Sequence, residues 1–213
     1  MIALQSNGWL QLAPRGATTV AQPSLLLRHA PSPNFDKRPD SSDITLLVIH
    51  NISLPPGQFG GNQVEDFFCN QLDYSQHPWL ERLRDIRVSA HFFIRRDGEI
   101  VQFVSSHDRA WHAGLSSFSG RERCNDFSIG IELEGTDTTP YTAIQYLRLS
   151  QLSQALRAHH PLQAVRGHEH IAPGRKTDPG PAFNWPYYAR LIGWPLRQLP
   201  PEAQETSPMP RQT

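Results

Sequence analysis

Ile44-Thr45-Leu46-Leu47-Val48-Ile49-His50 is the stretch around which this chain organises. Its apolar residues run almost unbroken, without the polar alternation of a half-solvated strand, so it predicts a strand buried on both faces. Such a strand carries the residue after its apolar run to one edge of the sheet, and here that residue is His50. Ile129-Gly130-Ile131-Glu132-Leu133 presents a carboxylate in the same way. Strand side chains alternate, so Ile129, Ile131 and Leu133 share one face, while Gly130, Glu132 and Glu134 share the other. Glu132 is therefore expected to point away from the core side.

The rest of the chain fills in around these two strands. Ala90 to Val104 predicts a hairpin, because Asp97-Gly98 suits the positive backbone angles of a tight turn between two apolar arms. Val64, Phe67, Phe68 and Leu72 recur at helical spacing after the Pro/Gly-rich segment Leu54 to Gly61. Thr139-Pro140 reads as an N-cap and first turn for a helix bearing Ile144, Leu147, Leu152, Ala155 and Leu156 on one face, ending near His160-Pro161. Phe183, Trp185, Tyr187 and Tyr188 suggest a final short helix covering the sheet. Residues 11 to 43 are rich in Pro, Ser, Ala and Asp and read as an irregular approach with room for one short strand around Leu25-Leu26-Leu27.

Bulk properties narrow the function classes. The 213 residues suit one compact domain with tails. Twenty Lys and Arg balance twenty Asp and Glu, which gives no footprint for nucleic acid or an anionic membrane surface. No apolar run approaches the length of a membrane span. The first residues lack a basic leader and a sustained apolar segment, so a cytoplasmic protein is expected. Cys69 and Cys124 have no ligand-like spacing and are expected to be reduced thiols.

Gly167-His168-Glu169-His170-Ile171-Ala172-Pro173-Gly174-Arg175-Lys176-Thr177-Asp178-Pro179-Gly180-Pro181 packs metal-ligand types, a cation and turn formers together and reads as an active-site rim. A catalytic zinc site needs three protein ligands and one open position, and His50, His168 and Asp178 fit that count. Amide hydrolysis also needs a group that takes a proton from water and returns it to the leaving amine, for which Glu132 is the candidate. Lys176 is the candidate for stabilising negative charge on the carbonyl oxygen. If Lys176-Thr177-Asp178 is extended, its ends project to the same side. His170 competes as a ligand, since in an extended loop it would share a face with His168. His91 and His112 could also line the pocket.

At these residues the chain closely resembles the AmpD-type 1,6-anhydro-N-acetylmuramoyl-L-alanine amidases, within the zinc amidase and peptidoglycan-recognition fold family. The resemblance covers roughly residues 31 to 188. It rests on Leu47 to Gly57, Val88-Ser89-Ala90-His91, Ala110-Trp111-His112-Ala113-Gly114, Arg121 to Gly135 and Arg175 to Pro181. It implies an α/β fold with a central mixed β-sheet flanked by helices, and zinc, one per chain, on His50, His168 and Asp178. It also implies catalytic roles for Glu132 and Lys176, and substrate contacts at Asn51, Trp111 and Arg123. The expected organisation is an irregular extension over 1–30, a catalytic domain over 31–199 and a disordered tail over 200–213.

The activity implied is zinc-dependent cleavage of the amide between the lactyl group of 1,6-anhydro-N-acetylmuramic acid and L-alanine of the stem peptide. The implied setting is cytoplasmic muropeptide recycling by a monomer, with influence on β-lactamase induction and without nucleic-acid or membrane partners. The alternatives are an amidase of polymeric peptidoglycan and a non-catalytic peptidoglycan-binding module. Two features depart from the family pattern: a longer stretch between Gly8-Trp9-Leu10 and Pro31-Ser32-Pro33, and the Glu169-His170 pair after His168.

Overall fold

A computed structural model describes residues 2–12 and 25–204. The expected disordered tail lies outside the described residues from position 205 onward. The main sheet is built from β3 (Leu27–His29), β5 (Leu46–Ile52), β6 (Phe92–Ile94), β7 (Ile100–Gln102), β11 (Ser128–Glu134) and β12 (Ala164–Gly167), in the order β12-β5-β11-β6-β7-β3. Only the β6–β7 hairpin is antiparallel within it, so the sheet is mixed. Gly98 turns that hairpin at φ +86, as the Asp97-Gly98 pair requires.

Short pairs surround the sheet. β1 (Ile2–Leu4) and β2 (Leu10–Leu12) form a hairpin, β4 (Phe35–Lys37) pairs with β8 (Asp108–Ala110), and β9 (Ser117–Phe118) pairs with β10 (Arg121–Glu122). For the described residues among 1–30 the expectation of an irregular extension is therefore corrected, while its residues 13–24 lie outside the described residues. Leu4 and Leu10 are buried in the main core, Gln102 Oε1 accepts from Leu10 N at 2.7 Å, and β3 is a strand of the sheet itself. Apolar side chains at 4 and 10 make the hairpin part of the domain.

The strands divide their side chains by parity. Leu47, Ile49, Ile129, Ile131 and Leu133 pack in one core with α2 (Ala143–Arg157) and α4 (Trp185–Ile192). Phe93 and Val101 face the opposite side, against α1 (Gln63–Phe68) and the following turns. Leu46 and Val48 also lie on that side, with Phe127 and Ile171. Each fully buried aliphatic side chain of this kind contributes about 1.5–3 kcal/mol relative to exposure. His50 and Glu132, at even positions, are thus directed away from α2 and α4.

The long helix begins three residues later than Thr139-Pro140 suggests. Thr142 is the N-cap: its Oγ1 accepts from Gln145 N at 3.2 Å, and Gln145 Oε1 accepts from Thr142 N at 3.0 Å. This reciprocal box outcompetes the proline signal because Gln145 is also buried and useful to the sheet. Its Nε2 donates to Ile94 O and Glu134 O at 3.2 and 3.0 Å, tying the helix start to two strand ends. At the other end of the chain, Pro201–Gln204 forms a 3-10 turn with Ala203 buried, so the first residues of the expected tail belong to the fold.

Thr142→Ala removes the cap acceptor and the Oγ1 bond to Arg96 O. It should lower the unfolding free energy by about 1 kcal/mol, read as a shift in urea midpoint. An unchanged midpoint would contradict the role given to the capping box.

Candidate metal centre and active site

Strand register assembles the site. β5 and β11 are parallel with His50 opposite Glu132, and β5 and β12 are parallel with Ile49 opposite Gly167. The residue after Gly167 is therefore brought beside His50, and it is His168. There the backbone turns into α3 (His168–Ile171), a single helical turn. His50 Nδ1 and His168 Nδ1 lie 3.0 Å apart, and Asp178 Oδ2 is 3.0 Å from each.

Asp178 arrives from the rim segment, which is pinned on several sides. Its carbonyl accepts from Glu169 N at 2.9 Å, and the Pro179 carbonyl accepts from Asn51 Nδ2 at 3.1 Å and Tyr141 OH at 2.8 Å. Gly180, at φ +77, lies so close to Asp137 that a Cβ would sit 2.4 Å from its Cα.

These three atoms suit a metal ion. His168 Nε2 faces the Ala113 carbonyl at 3.1 Å, which can only accept, so a neutral His168 leaves the Nδ1 lone pair turned to His50 and Asp178. A lone pair and a carboxylate oxygen converging in a buried place call for a cation. Ligand atoms about 2.1 Å from a tetrahedral zinc sit about 3.4 Å from one another, and the three atoms here, 3.0 Å apart, need part only slightly to reach that spacing. Burial first, then the His168 ring, lowers His50 to about 4, so it is neutral and able to bind metal near pH 7. Burial works to raise Asp178, but hydrogen bonds from His168 and His50 outweigh it and keep the carboxyl ionised well below the usual range.

Glu132 lies on the neighbouring strand, 8% exposed, and its Oε2 has no hydrogen-bond partner within the protein. Burial, reinforced by Asp178 and opposed by Lys176, raises its carboxyl well above the ordinary value. A carboxyl with a free oxygen and a raised pKa beside three metal-ligand atoms is equipped to hold and release a proton.

Two clefts meet at this cluster, sharing His112, His168 and Lys176 along their walls. The larger contains Asn51, Trp79, Leu83 and Glu132, and the smaller contains Arg87, Trp111 and Arg175. Lys176 is exposed and borders both, beside the metal-ligand cluster. Of the expected substrate contacts, Asn51 lines the larger cleft and Trp111 the smaller. Arg123 lines neither: its side chain is 70% exposed and pairs with Asp126 at 3.3 Å. His170 is also removed from contention, since the helical turn swings it from the cluster. Its Nδ1 accepts from Gly167 N at 2.8 Å, and its Nε2 lies 3.3 Å from Glu202. Trp79, half-buried in a short 3-10 helix, and the exposed Arg87 and Arg175 were not singled out by the sequence reading, because segments this short carry no periodicity.

A profile described as N-acetylmuramoyl-L-alanine amidase matches residues 40–181, which span the whole cluster. The chain belongs to this amidase family. Among relatives, the 1,6-anhydro-N-acetylmuramyl-L-alanine amidase AmpD of Salmonella typhimurium (strain SL1344) is 56% identical over 167 residues, covering 78% of this chain and 89% of that protein. AmpD of Enterobacter cloacae is 50% identical over 191 residues, 89% of this chain and 95% of that protein. The crystal structure of a selenomethionine AmpD derivative superposes with a TM-score of 0.79 at 50% identity, covering 89% of this chain and 99% of that one. The mixed sheet with flanking helices is thus the amidase fold of that family.

Acid should act on the amidase through its buried histidines. Burial holds His50 and His160 at about 4 and His91 and His112 well below 6.5. Below pH 6.5 the unfolded chain binds protons these rings refuse in the fold, so stability falls as pH drops from about 6.5 towards 4. The urea midpoint of the metal-free protein should decline across that window. A flat profile would contradict the neutral buried rings.

Proposed function

We propose that this chain hydrolyses the amide between the lactyl group of 1,6-anhydro-N-acetylmuramic acid and L-alanine of the stem peptide. It acts as a cytoplasmic monomer in muropeptide recycling, with one zinc held by His50, His168 and Asp178. Lowering the level of such fragments also lets it influence β-lactamase induction. The observation that carries the reading is the convergence of those three ligand atoms at 3.0 Å beside the unpaired Glu132 carboxyl. The preference for the anhydro sugar is supported by AmpD relatives named for that substrate at 50–56% identity.

Zinc, when bound, polarises water and the scissile carbonyl. Glu132 takes a proton from the attacking water at its free Oε2 and delivers it to the leaving amine of L-alanine. The Lys176 ammonium stands over the carbonyl oxygen, where negative charge develops. The junction of the clefts places the scissile bond. The larger cleft, with Trp79 and Asn51, receives the sugar, since an aromatic face packs well against a sugar ring. The smaller, with Arg87, Arg175 and Trp111, receives the anionic stem peptide. Arg87 and Arg175 donate to backbone carbonyls in the protein, and neither pairs with a carboxylate among the described residues.

Mass-spectrometric product analysis of zinc-loaded protein with anhydro-muramoyl tripeptide and, in parallel, intact sacculi tests this. Free tripeptide mainly from the small substrate is expected. Preferential release from sacculi would indicate a wall hydrolase, and binding without cleavage a recognition module.

Glu132→Gln should retain zinc and lose about a hundred- to ten-thousand-fold in kcat. Lys176→Ala should lose about a hundred- to a thousand-fold in kcat. Full turnover by Glu132→Gln would remove the carboxyl from the mechanism.

A further inference from the structure

We propose that His112 and Ala113, clamped by Asn125, form a bracket that fixes the ring orientation and tautomer of both histidine metal ligands. His112 and Asn125 are then positioning residues. The inference rests on the metal site proposed above and concerns what holds its ligands from behind.

The two imidazoles lean on consecutive residues of one segment. His50 Nε2 meets His112 Nδ1 at 3.0 Å, and His168 Nε2 meets the Ala113 carbonyl at 3.1 Å. His112 is itself oriented, since its Nε2 lies 3.1 Å from Ser128 Oγ. With His50 binding through Nδ1, its Nε2–H donates to His112 Nδ1, and the His112 Nε2–H then donates to Ser128 Oγ.

Ser89 Oγ accepts from Trp111 N at 3.2 Å and Arg175 Nη2 donates to the Ala113 carbonyl at 2.8 Å, while the two amides of the bracket itself share one acceptor. Asn125 Oδ1 accepts from both His112 N, at 3.2 Å, and Ala113 N, at 2.8 Å. Asn125 and His112 are both buried, so little water competes for these bonds. Gly130 makes room for the ring: a Cβ there would stand 2.4 Å from His112 Cγ, which no rotamer of an inserted methyl could relieve. One asparagine thus ties together the supports of two ligands that are far apart in sequence, through amide donors whose role is fixed by the chain.

The test uses the full chain. In zinc-loaded protein labelled with ¹⁵N-histidine, long-range NMR correlations should find His50, His168 and His112 all protonated at Nε2. His112→Leu, Asn125→Ala and Gly130→Ala should each weaken zinc affinity by about ten- to a hundred-fold in chelator competition. Asn125→Asp, which keeps an acceptor for both amides, should restore most of it. Protonation of either ligand ring at Nδ1 would overturn the bracket without recourse to any variant. So would variants that unfold more easily when metal-free yet bind zinc as the parent does. Parent protein that binds no zinc would instead overturn the proposed function, and the bracket with it.

Discussion

Parallel pairing of β5 with β11 on one side and β12 on the other is the constraint on which the site depends. In a parallel pair the register fixes which residues stand side by side, and a slip of one position turns every side chain to the opposite face. Here the register sets His50 beside Glu132 and brings His168 alongside at the next row. The same parity that sends Leu47, Ile49, Ile129, Ile131 and Leu133 into the core under α2 and α4 leaves His50 and Glu132 on the other side. Core formation and site formation are therefore one event, and a register that buried the aliphatic residues wrongly would also scatter His50, Glu132 and His168.

Burial then differentiates the groups that register brings together. Glu132 is left without a partner and its raised pKa makes its carboxylate a stronger proton acceptor, whereas Asp178, with two imidazole nitrogens against one oxygen, is held ionised. Two carboxyls in one site thus acquire opposite tasks from their surroundings. The arginines of the smaller cleft and the aromatic and aliphatic wall of the larger one extend this asymmetry outward, giving the site a polar end and an apolar end.

Much of this was legible in the sequence, for identifiable reasons. The strand at Leu46–Ile52, the Asp97-Gly98 hairpin and the presentation of Glu132 follow from apolar runs, alternation and turn chemistry, which act locally. The close resemblance of segments such as Trp111-His112-Ala113-Gly114 to the amidase family supplied the mixed sheet. What was missed depends on tertiary choice. Thr142 displaced Thr139 as the cap because Gln145 could serve both helix and sheet. The N-terminal hairpin joined the core because Leu4 and Leu10 reach it across sequence that gives no periodic cue. His170 left the cluster because one helical turn, rather than an extended strand, follows Gly167. Nor could the sequence reveal that Asn125 serves His112 and Ala113, as a buried amide looks like any other asparagine until its neighbours are known.

The separation of the ligands along the chain has a consequence for how the protein comes into being. His50 and His168 are 118 residues apart, and they meet only through the pairing of β12 with β5. Closing so long a loop is slow, and it must be completed before the two rings can share an ion. Two of the three, His168 and Asp178, lie ten residues apart in one segment, so it is His50 that must be brought in from a distance to complete the set. Capture of an ion by all three groups together would therefore follow the pairing of the central strands. An ion held there would act as a seal on a finished scaffold, unlike the small domains in which a metal supplies the nucleus of folding.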